Sequence, residues 1–110
     1  MLILEGAATP GQIVEMLEVF DTYVKLAIDV RREVLAGGAE MHADCEQALL
    51  ASGGRQADIW GADWDVAGVM RFESLINIRP GQDNRSLEVE SPELRARIER
   101  IVRRVFEGGA

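Results

Sequence analysis

The sequence is poor in the residues that carry covalent and metal chemistry, with one cysteine and one histidine among 110 residues. A single cysteine excludes an internal disulfide, which is typical of a reduced, cytoplasmic setting. No apolar run approaches the roughly 20 residues that a membrane-spanning helix requires. The first ten residues, MLILEGAATP, also lack the basic start and long apolar centre of a signal peptide. We therefore expect a cytoplasmic protein that does not bind membranes.

Positive charge is scarce as well. The sequence has 12 Lys and Arg residues but 19 Asp and Glu residues, and its net charge is −7. A negative field repels nucleic acid at long range, so general nucleic-acid binding is disfavoured. Eleven of the twelve basic residues are arginine. A local arginine cluster can still bind an anion at short range. The length and the 47% hydrophobic content indicate one globular domain, residues 1–110.

Apolar residues recur at alternating helix and strand spacings along the chain, separated by glycine, proline and capping residues. The pattern predicts strands at 1–4, 23–30, 33–41, 59–64 and 69–78, and helices at 9–20, 44–53 and 91–105. The order is therefore β-α-β-β-α-β-β-α.

Two pairs of consecutive strands in this order are joined by short turns, so their strands must be antiparallel. We predict an α+β single domain, a two-layer sandwich in which three helices pack on one face of a mainly antiparallel sheet of about five strands. Gly37 and Gly38 interrupt a predicted strand, which indicates a bulge or a close backbone approach.

The stretch GGAEMHADCE, residues 37–46, concentrates candidate metal ligands. His42, Asp44 and Glu46 have the residue types that hold zinc, manganese or iron, and they would share one face of a strand. The capping pattern instead places Asp44 as the N-cap of the following helix, with its side chain on backbone N–H groups. We favour this structural interpretation. The alternative is a divalent metal held by His42 and Glu46, completed by a distant loop.

Cys45 is predicted at the first position of the same helix, where the helix dipole lowers the pKa of a thiol. The neighbouring carboxylates Asp44 and Glu46 oppose that effect, because negative charge disfavours a thiolate. A structural, buried cysteine is therefore favoured over a Cys45–His42 nucleophile.

The loop after the last predicted strand, residues 79–86, is rich in hydrogen-bond donors. Arg79 and Arg85 supply guanidinium groups, and Asn84 and Ser86 add neutral donors, a combination that binds carboxylate or phosphate. We predict that these four residues bind a small anionic ligand. The alternative is a solvated turn in which the polar side chains hold the backbone.

The last predicted helix carries five arginines beside three glutamates. Its simplest interpretation is a solvated face with ion pairs at helical spacing, such as Glu99–Arg103.

The chain resembles a family of small prokaryotic single-domain proteins of unknown function. The resemblance lies in Val24–Val30, Gly37-Gly38, His42-Ala43-Asp44, Trp60-Gly61, and Ile76-Asn77-Ile78-Arg79-Pro80 with Asn84-Arg85-Ser86. It covers most of the chain and implies a free-standing domain. The family has no established activity, so it assigns no catalytic residues.

Two functions remain from the sequence. The favoured one is a non-catalytic binding or interaction domain, for an unidentified protein partner or for an anion held by the 79–86 loop; a homo-oligomer is left open. The alternative is a metal-assisted hydrolase of phosphoester type, in which His42 with Asp44 or Glu46 holds the ion. That alternative requires residues 37–46 and 79–86 to converge.

Overall fold

The computed structural model describes residues 1–108 and contains five strands and three helices in the predicted order. The elements are β1 (Leu2–Leu4), α1 (Pro10–Leu17), β2 (Tyr23–Asp29), β3 (Val34–Gly37), α2 (His42–Ala51), β4 (Ile59–Asp65), β5 (Met70–Arg71) and α3 (Pro92–Glu107). Short 3₁₀ turns lie at Gln56–Asp58, Leu75–Asn77 and Pro80–Gln82. Within the described residues, no helix is long and apolar enough to cross a membrane.

The five strands form one antiparallel sheet in the order β1-β3-β2-β4-β5. The predicted α+β class and the antiparallel sheet are confirmed. Strand β2 is central and pairs with β4 along its whole length, from Tyr23 opposite Asp65 to Asp29 opposite Ile59. The pairing of β2 with β4 therefore joins the strands that precede α2 in the chain to the strands that follow it.

Helices cover both faces of the sheet, which corrects the prediction that all three lie on one face. Helices α1 and α3 pack with Val24, Leu26 and Ile28 of β2 in the larger core. Helix α2 packs on the opposite face, where Ala27 of β2 meets Cys45 and other small or apolar side chains. The second face was missed because the β2 residues on it are small or polar. Apolar residues at every second position of β2 therefore indicated only one apolar face.

The predicted strand at 69–78 is too long, because β5 ends at Arg71. Burial still alternates through Phe72 and Ser74, and the chain then turns into the 3₁₀ segment Leu75–Asn77. Ile78, the last residue of the predicted strand, is 44% exposed. The part of β4 that does not pair with β5 therefore forms hydrogen bonds with side chains rather than with another strand.

The glycine pair at the end of β3 allows α1 to approach the sheet. Gly38 has a φ of +92°, and a Cβ atom there would lie 3.1 Å from the Cα of Met16. A Cβ atom on Gly37 would lie 2.7 Å from a methyl group of Leu26. The structure thus confirms the close backbone approach.

Candidate functional site

Helix α2 begins three residues earlier than predicted, and Asp44 is not its N-cap. The N-cap is Met41, which makes no side-chain capping hydrogen bond, and His42 is the first helical residue. Asp44 lies exposed in the first turn, while Glu46 is buried. His42 and Glu46 are four residues apart and share one face of the helix, and Asp44 points away from them.

His42 is held against β4 by a carboxylate. Its Nε2 atom lies 2.8 Å from Oδ1 of Asp63 and 3.3 Å from the carbonyl oxygen of Ala62. Both neighbours are acceptors, so we assign the ring hydrogen to Nε2. This fixes the orientation of the ring and directs Nδ1 away from the pair.

Glu46 meets Arg79, so the two stretches selected from the sequence do converge. The Nη2 atom of Arg79 lies 3.6 Å from Oε2 of Glu46, and the two side chains are 9% and 10% exposed. That distance is too long for a hydrogen bond. Within residues 1–108 no donor reaches Oε2 of Glu46, although the atom is buried. We call His42, Glu46, Asp63 and Arg79 the Glu46 cluster.

The guanidinium group of Arg79 is committed to the fold. It donates to the carbonyl oxygens of Ile76, Gln56 and Ile59 and to Oε1 of Gln82. It also stacks on Trp60, with its central carbon 4.4 Å from the ring centroid. Burial lowers the pKa of Arg79, and the Glu46 carboxylate opposes this shift. Four of its five N–H donors are therefore unavailable to an anion.

The exposed edge of β4 beside this cluster is closed by Asn77. Its Oδ1 accepts from the backbone N–H of Gly61 at 2.8 Å, and its Nδ2 donates to the carbonyl of Gly61 at 3.0 Å. The carboxamide thus makes the pair of bonds that a neighbouring strand would make. The sequence prediction placed Asn77 inside the strand at 69–78 and gave it no role. The available signal was a polar residue between Ile76 and Ile78.

Asn84 is also a structural residue of the loop. Its Nδ2 donates to the carbonyl oxygens of Asn77 at 2.8 Å and Glu88 at 2.7 Å, and its Oδ1 accepts from the N–H of Glu90 at 2.9 Å. The side chain is buried. It therefore holds two segments of the chain together and presents no donor at the surface.

The predicted anion-binding loop already holds an anion, the carboxylate of Glu90. Its Oε2 atom accepts from the N–H groups of Arg85 and Ser86, both at 2.8 Å, and from Oγ of Ser86 at 2.9 Å. The hydrogen bonds from Ser86, and then that from Arg85, lower the pKa of Glu90. The side chain of Arg85 makes no hydrogen bond or ion pair with the described residues. Asn84 and Ser86 are thus brought together with Glu90, whereas the guanidinium group of Arg79 lies beside Glu46, so the predicted residues do not surround one open site.

Cys45 is buried in the core beneath α2 and donates to the carbonyl of Lys25 at 3.6 Å. Burial raises the pKa of its thiol. A thiol that is buried and protonated is a poor nucleophile. Among residues 1–108, no three His, Cys, Asp or Glu side chains are arranged to hold a metal ion. The hydrolase alternative gains no support.

A family model described as "Protein of unknown function (DUF5674)" matches residues 2–105. The chain belongs to this family. The matched residues include the Glu46 cluster and the 79–86 loop, and the resemblance noted from the sequence is confirmed at the level of the family. No curated protein and no solved structure matches the chain. Membership in the family therefore assigns no activity, and the function is unknown.

Proposed function

We propose that the protein is a non-catalytic interaction domain that receives a basic side chain of a partner protein at the Glu46 cluster. The observation that carries the proposal is the buried Oε2 atom of Glu46, which no donor in residues 1–108 reaches. An unsatisfied buried acceptor costs about 1–3 kcal/mol, and a carboxylate costs more. A donor supplied by a partner removes that cost, so the bound state is favoured.

Arg79 does not fill this role, because its geometry is fixed by other acceptors. Three backbone carbonyls and Gln82 orient its guanidinium group, and the nearest nitrogen stays 3.6 Å from Oε2 of Glu46. Moving it closer to Glu46 would break bonds that close the edge of β4. The group that satisfies Glu46 therefore comes from outside the cluster.

The charge of the protein favours a cationic partner group. The cluster contains two carboxylates, Glu46 and Asp63, and one guanidinium group, and the chain has a net charge of −7. A negative field attracts basic segments over distances of about a Debye length.

The 3₁₀ turn that precedes Arg79 exposes two apolar side chains. Leu75 and Ile78 are 75% and 44% exposed, and they lie at the two ends of the 3₁₀ turn that leads into Arg79. Residues three apart on a 3₁₀ turn face the same way. The same turn contacts α2. A charged anchor surrounded by apolar contacts is the usual organisation of an interface centre, in which arginine is enriched. We therefore infer a partner segment that presents Arg or Lys among apolar residues.

The test is an amide NMR titration with N-acetyl-arginine amide, which carries the cation without a carboxylate. We expect saturable shifts confined to residues near 42–46, 62–63 and 76–79. The Glu46→Gln variant should bind at least about tenfold more weakly, since hydrogen bonds to charged groups contribute roughly 1.5–3 kcal/mol. Glu40→Gln is the matched control, because Glu40 is exposed and the same charge is removed from the same stretch.

Equal weakening in both variants would show that only the net charge matters and would contradict the proposal. Absence of saturable shifts in the wild-type protein would do the same. Shifts at the cluster that depend on protein concentration, without added probe, would identify a second copy as the source of the basic group and would support a homo-oligomer.

The small anionic ligand expected at the 79–86 loop also remains a proposal, and its support is Arg85. Arg85 is exposed, and its guanidinium group makes no hydrogen bond or ion pair with the described residues. Because Glu90 occupies the backbone donors of the loop, any external anion is left with this one side chain. Phosphate affinity that falls in an Arg85→Ala variant would support this site.

We also propose a cytoplasmic setting. The support is Cys45, the only cysteine of the sequence, which is buried and unpaired. Structural disulfides are typical of oxidising compartments, and a lone buried thiol is typical of reducing ones. Cell fractionation that recovers the protein outside the cytoplasm would contradict this assignment.

A further inference from the structure

A groove of about 690 Å³ runs along the outer side of α3, on the opposite side of the sheet from the Glu46 cluster. Its wall is formed by α3 and by Glu33, which lies in the turn between β2 and β3. The volume is within the range of about 300–1,000 Å³ that is typical of small-molecule sites. No residue of the Glu46 cluster or of the 79–86 loop lines it, so it is independent of the proposed function.

The groove is positive on an acidic protein. Four of the twelve basic residues of the chain line it, against two glutamates, whereas the net charge of the chain is −7. The lining residues are Glu33, Ala96, Arg97, Glu99, Arg100, Ile101, Arg103 and Arg104. An anion bound elsewhere on the surface would meet a repulsive field, so this concentration of arginine marks one place where a small anion is favoured.

Two of the arginines are held in place by carbonyl oxygens. Arg97 donates from Nη2 to the carbonyl of Val30 at 2.8 Å, and Arg104 donates from Nη2 to the carbonyl of Glu33 at 3.0 Å. Each guanidinium group has five N–H donors, so further donors remain on both. Side chains that are already ordered lose less entropy when they bind a ligand.

Arg100 lies between these two arginines and makes no hydrogen bond or ion pair within the described residues. Arg97, Arg100 and Arg104 are spaced by three and four residues, so they form one stripe along α3. Arg103 differs, because it is paired with both Glu99 and Glu107. Three arginines, two of them fixed, therefore lie on one side of the helix and line the same groove.

The turn that carries Glu33 adopts a backbone conformation that is unusual for its residue. Glu33 has a φ of 58°, in the left-handed region that side chains other than glycine, asparagine and aspartate rarely adopt. This conformation places both its carbonyl and its carboxylate on Arg104, with Oε1 of Glu33 2.9 Å from Nη1. The strained turn thus fixes the orientation of one groove arginine.

We infer that this groove binds a small molecule carrying a phosphate monoester, through Arg97, Arg100 and Arg104. A phosphate dianion offers several oxygens to guanidinium groups that approach from different directions, which matches a stripe of three arginines better than a single carboxylate does. A nucleic acid would place further phosphates over acidic surface, so the ligand is a compact one.

The test is an NMR titration with inorganic phosphate at constant ionic strength, with Arg100→Ala and Arg71→Ala variants. Each variant replaces an exposed arginine and removes one positive charge. Arg100 has no hydrogen-bond or ion-pair partner within residues 1–108, and Arg71, which does not line the groove, has one exposed ion pair, with Asp65 at 3.4 Å. We expect saturable shifts at 30–33 and 96–104 in the wild-type and Arg71→Ala proteins, and at least about tenfold weaker binding in Arg100→Ala.

Equal loss of affinity in the two variants would overturn the inference. Saturable shifts confined to residues 79–86 would also overturn it, and they would place the anion at that loop. Shifts that rise linearly without saturation would overturn it too. The cation titration of the Glu46 cluster uses a different probe and a different face of the sheet. Failure of one proposal is therefore distinguishable from failure of the other.

Discussion

The carboxamide of Asn77 binds both backbone groups of Gly61, accepting from its N–H at 2.8 Å and donating to its carbonyl at 3.0 Å. Where β5 has ended, one buried side chain takes over the pairing of β4. The same Nδ2 atom also reaches the carbonyl oxygens of Phe72 and Leu87. The edge of β4 and the approach of Arg79 to Glu46 both depend on this residue.

Replacing Asn77 by alanine should destabilise the protein by about 2–4 kcal/mol, because buried backbone groups of Gly61 lose their partners. Asn77→Asp should cost at least as much, since it keeps the shape but removes the donor and buries a charge. Urea unfolding followed by circular dichroism measures both changes. A loss below about 0.5 kcal/mol in either variant would show that solvent reaches this edge.

Gly61→Ala should lower stability by about 1–3 kcal/mol, because the added Cβ atom would lie 2.5 Å from the Cβ atom of Ser74. Ser74→Gly should recover part of the loss in the double variant, since it removes the clashing atom. Gly81→Ala is the control, as no atom lies within 4 Å of the position of its Cβ. Thermal unfolding of the four variants measures the coupling, and additive losses would contradict the predicted contact.

The Glu90 carboxylate should make stability depend on pH. Hydrogen bonds from Ser86 and Arg85 lower its pKa in the folded state, so its contribution is present above the pKa of the unfolded chain. The contribution is lost as pH falls through the folded pKa. Glu90→Gln should therefore have a lower urea midpoint than the wild type at pH 7, and the difference should vanish under acidic conditions. A difference that is constant with pH would argue against this assignment.

Cys45 should react slowly with an alkylating reagent in the native protein. Its side chain is buried and burial raises its pKa, so little thiolate is present or accessible at pH 8. Mass spectrometry after timed exposure to iodoacetamide measures the rate, with the urea-unfolded chain as the reference for a free thiol. Native labelling as fast as in urea would mean that α2 opens readily.

Local signals in the sequence were sufficient for the caps of two helices. Thr9 and Gln12, at the start of the helix predicted at 9–20, form a capping box. At the start of the helix predicted at 91–105, the Ser91 side chain accepts from the N–H of Leu94. These bonds join residues three apart, so the sequence contains all the information they need. The ion pair Glu99–Arg103 was predicted for the same reason and is present at 2.9 Å.

The site depends on contacts between distant residues, which spacing alone does not specify. Glu46 and Arg79 belong to different elements and meet because α2 covers the second face of the sheet beside the edge of β4. Asp44 carries a capping pattern, yet the helix starts at His42, where the ring gains the distant partner Asp63. Tertiary contacts outweighed a capping preference of about 1 kcal/mol.

The proposed role of the Glu46 cluster is tested most directly by the carboxyl carbon signal of Glu46 itself. In a protein labelled with carbon-13 at glutamate side chains, N-acetyl-arginine amide should shift this signal saturably and leave that of Glu40 unchanged. The result predicted here is a shift whose titration curve matches that of the backbone amides at 42–46. A Glu46 signal that does not move while other glutamates do would contradict the account, because the buried carboxylate would then play no part in recognition.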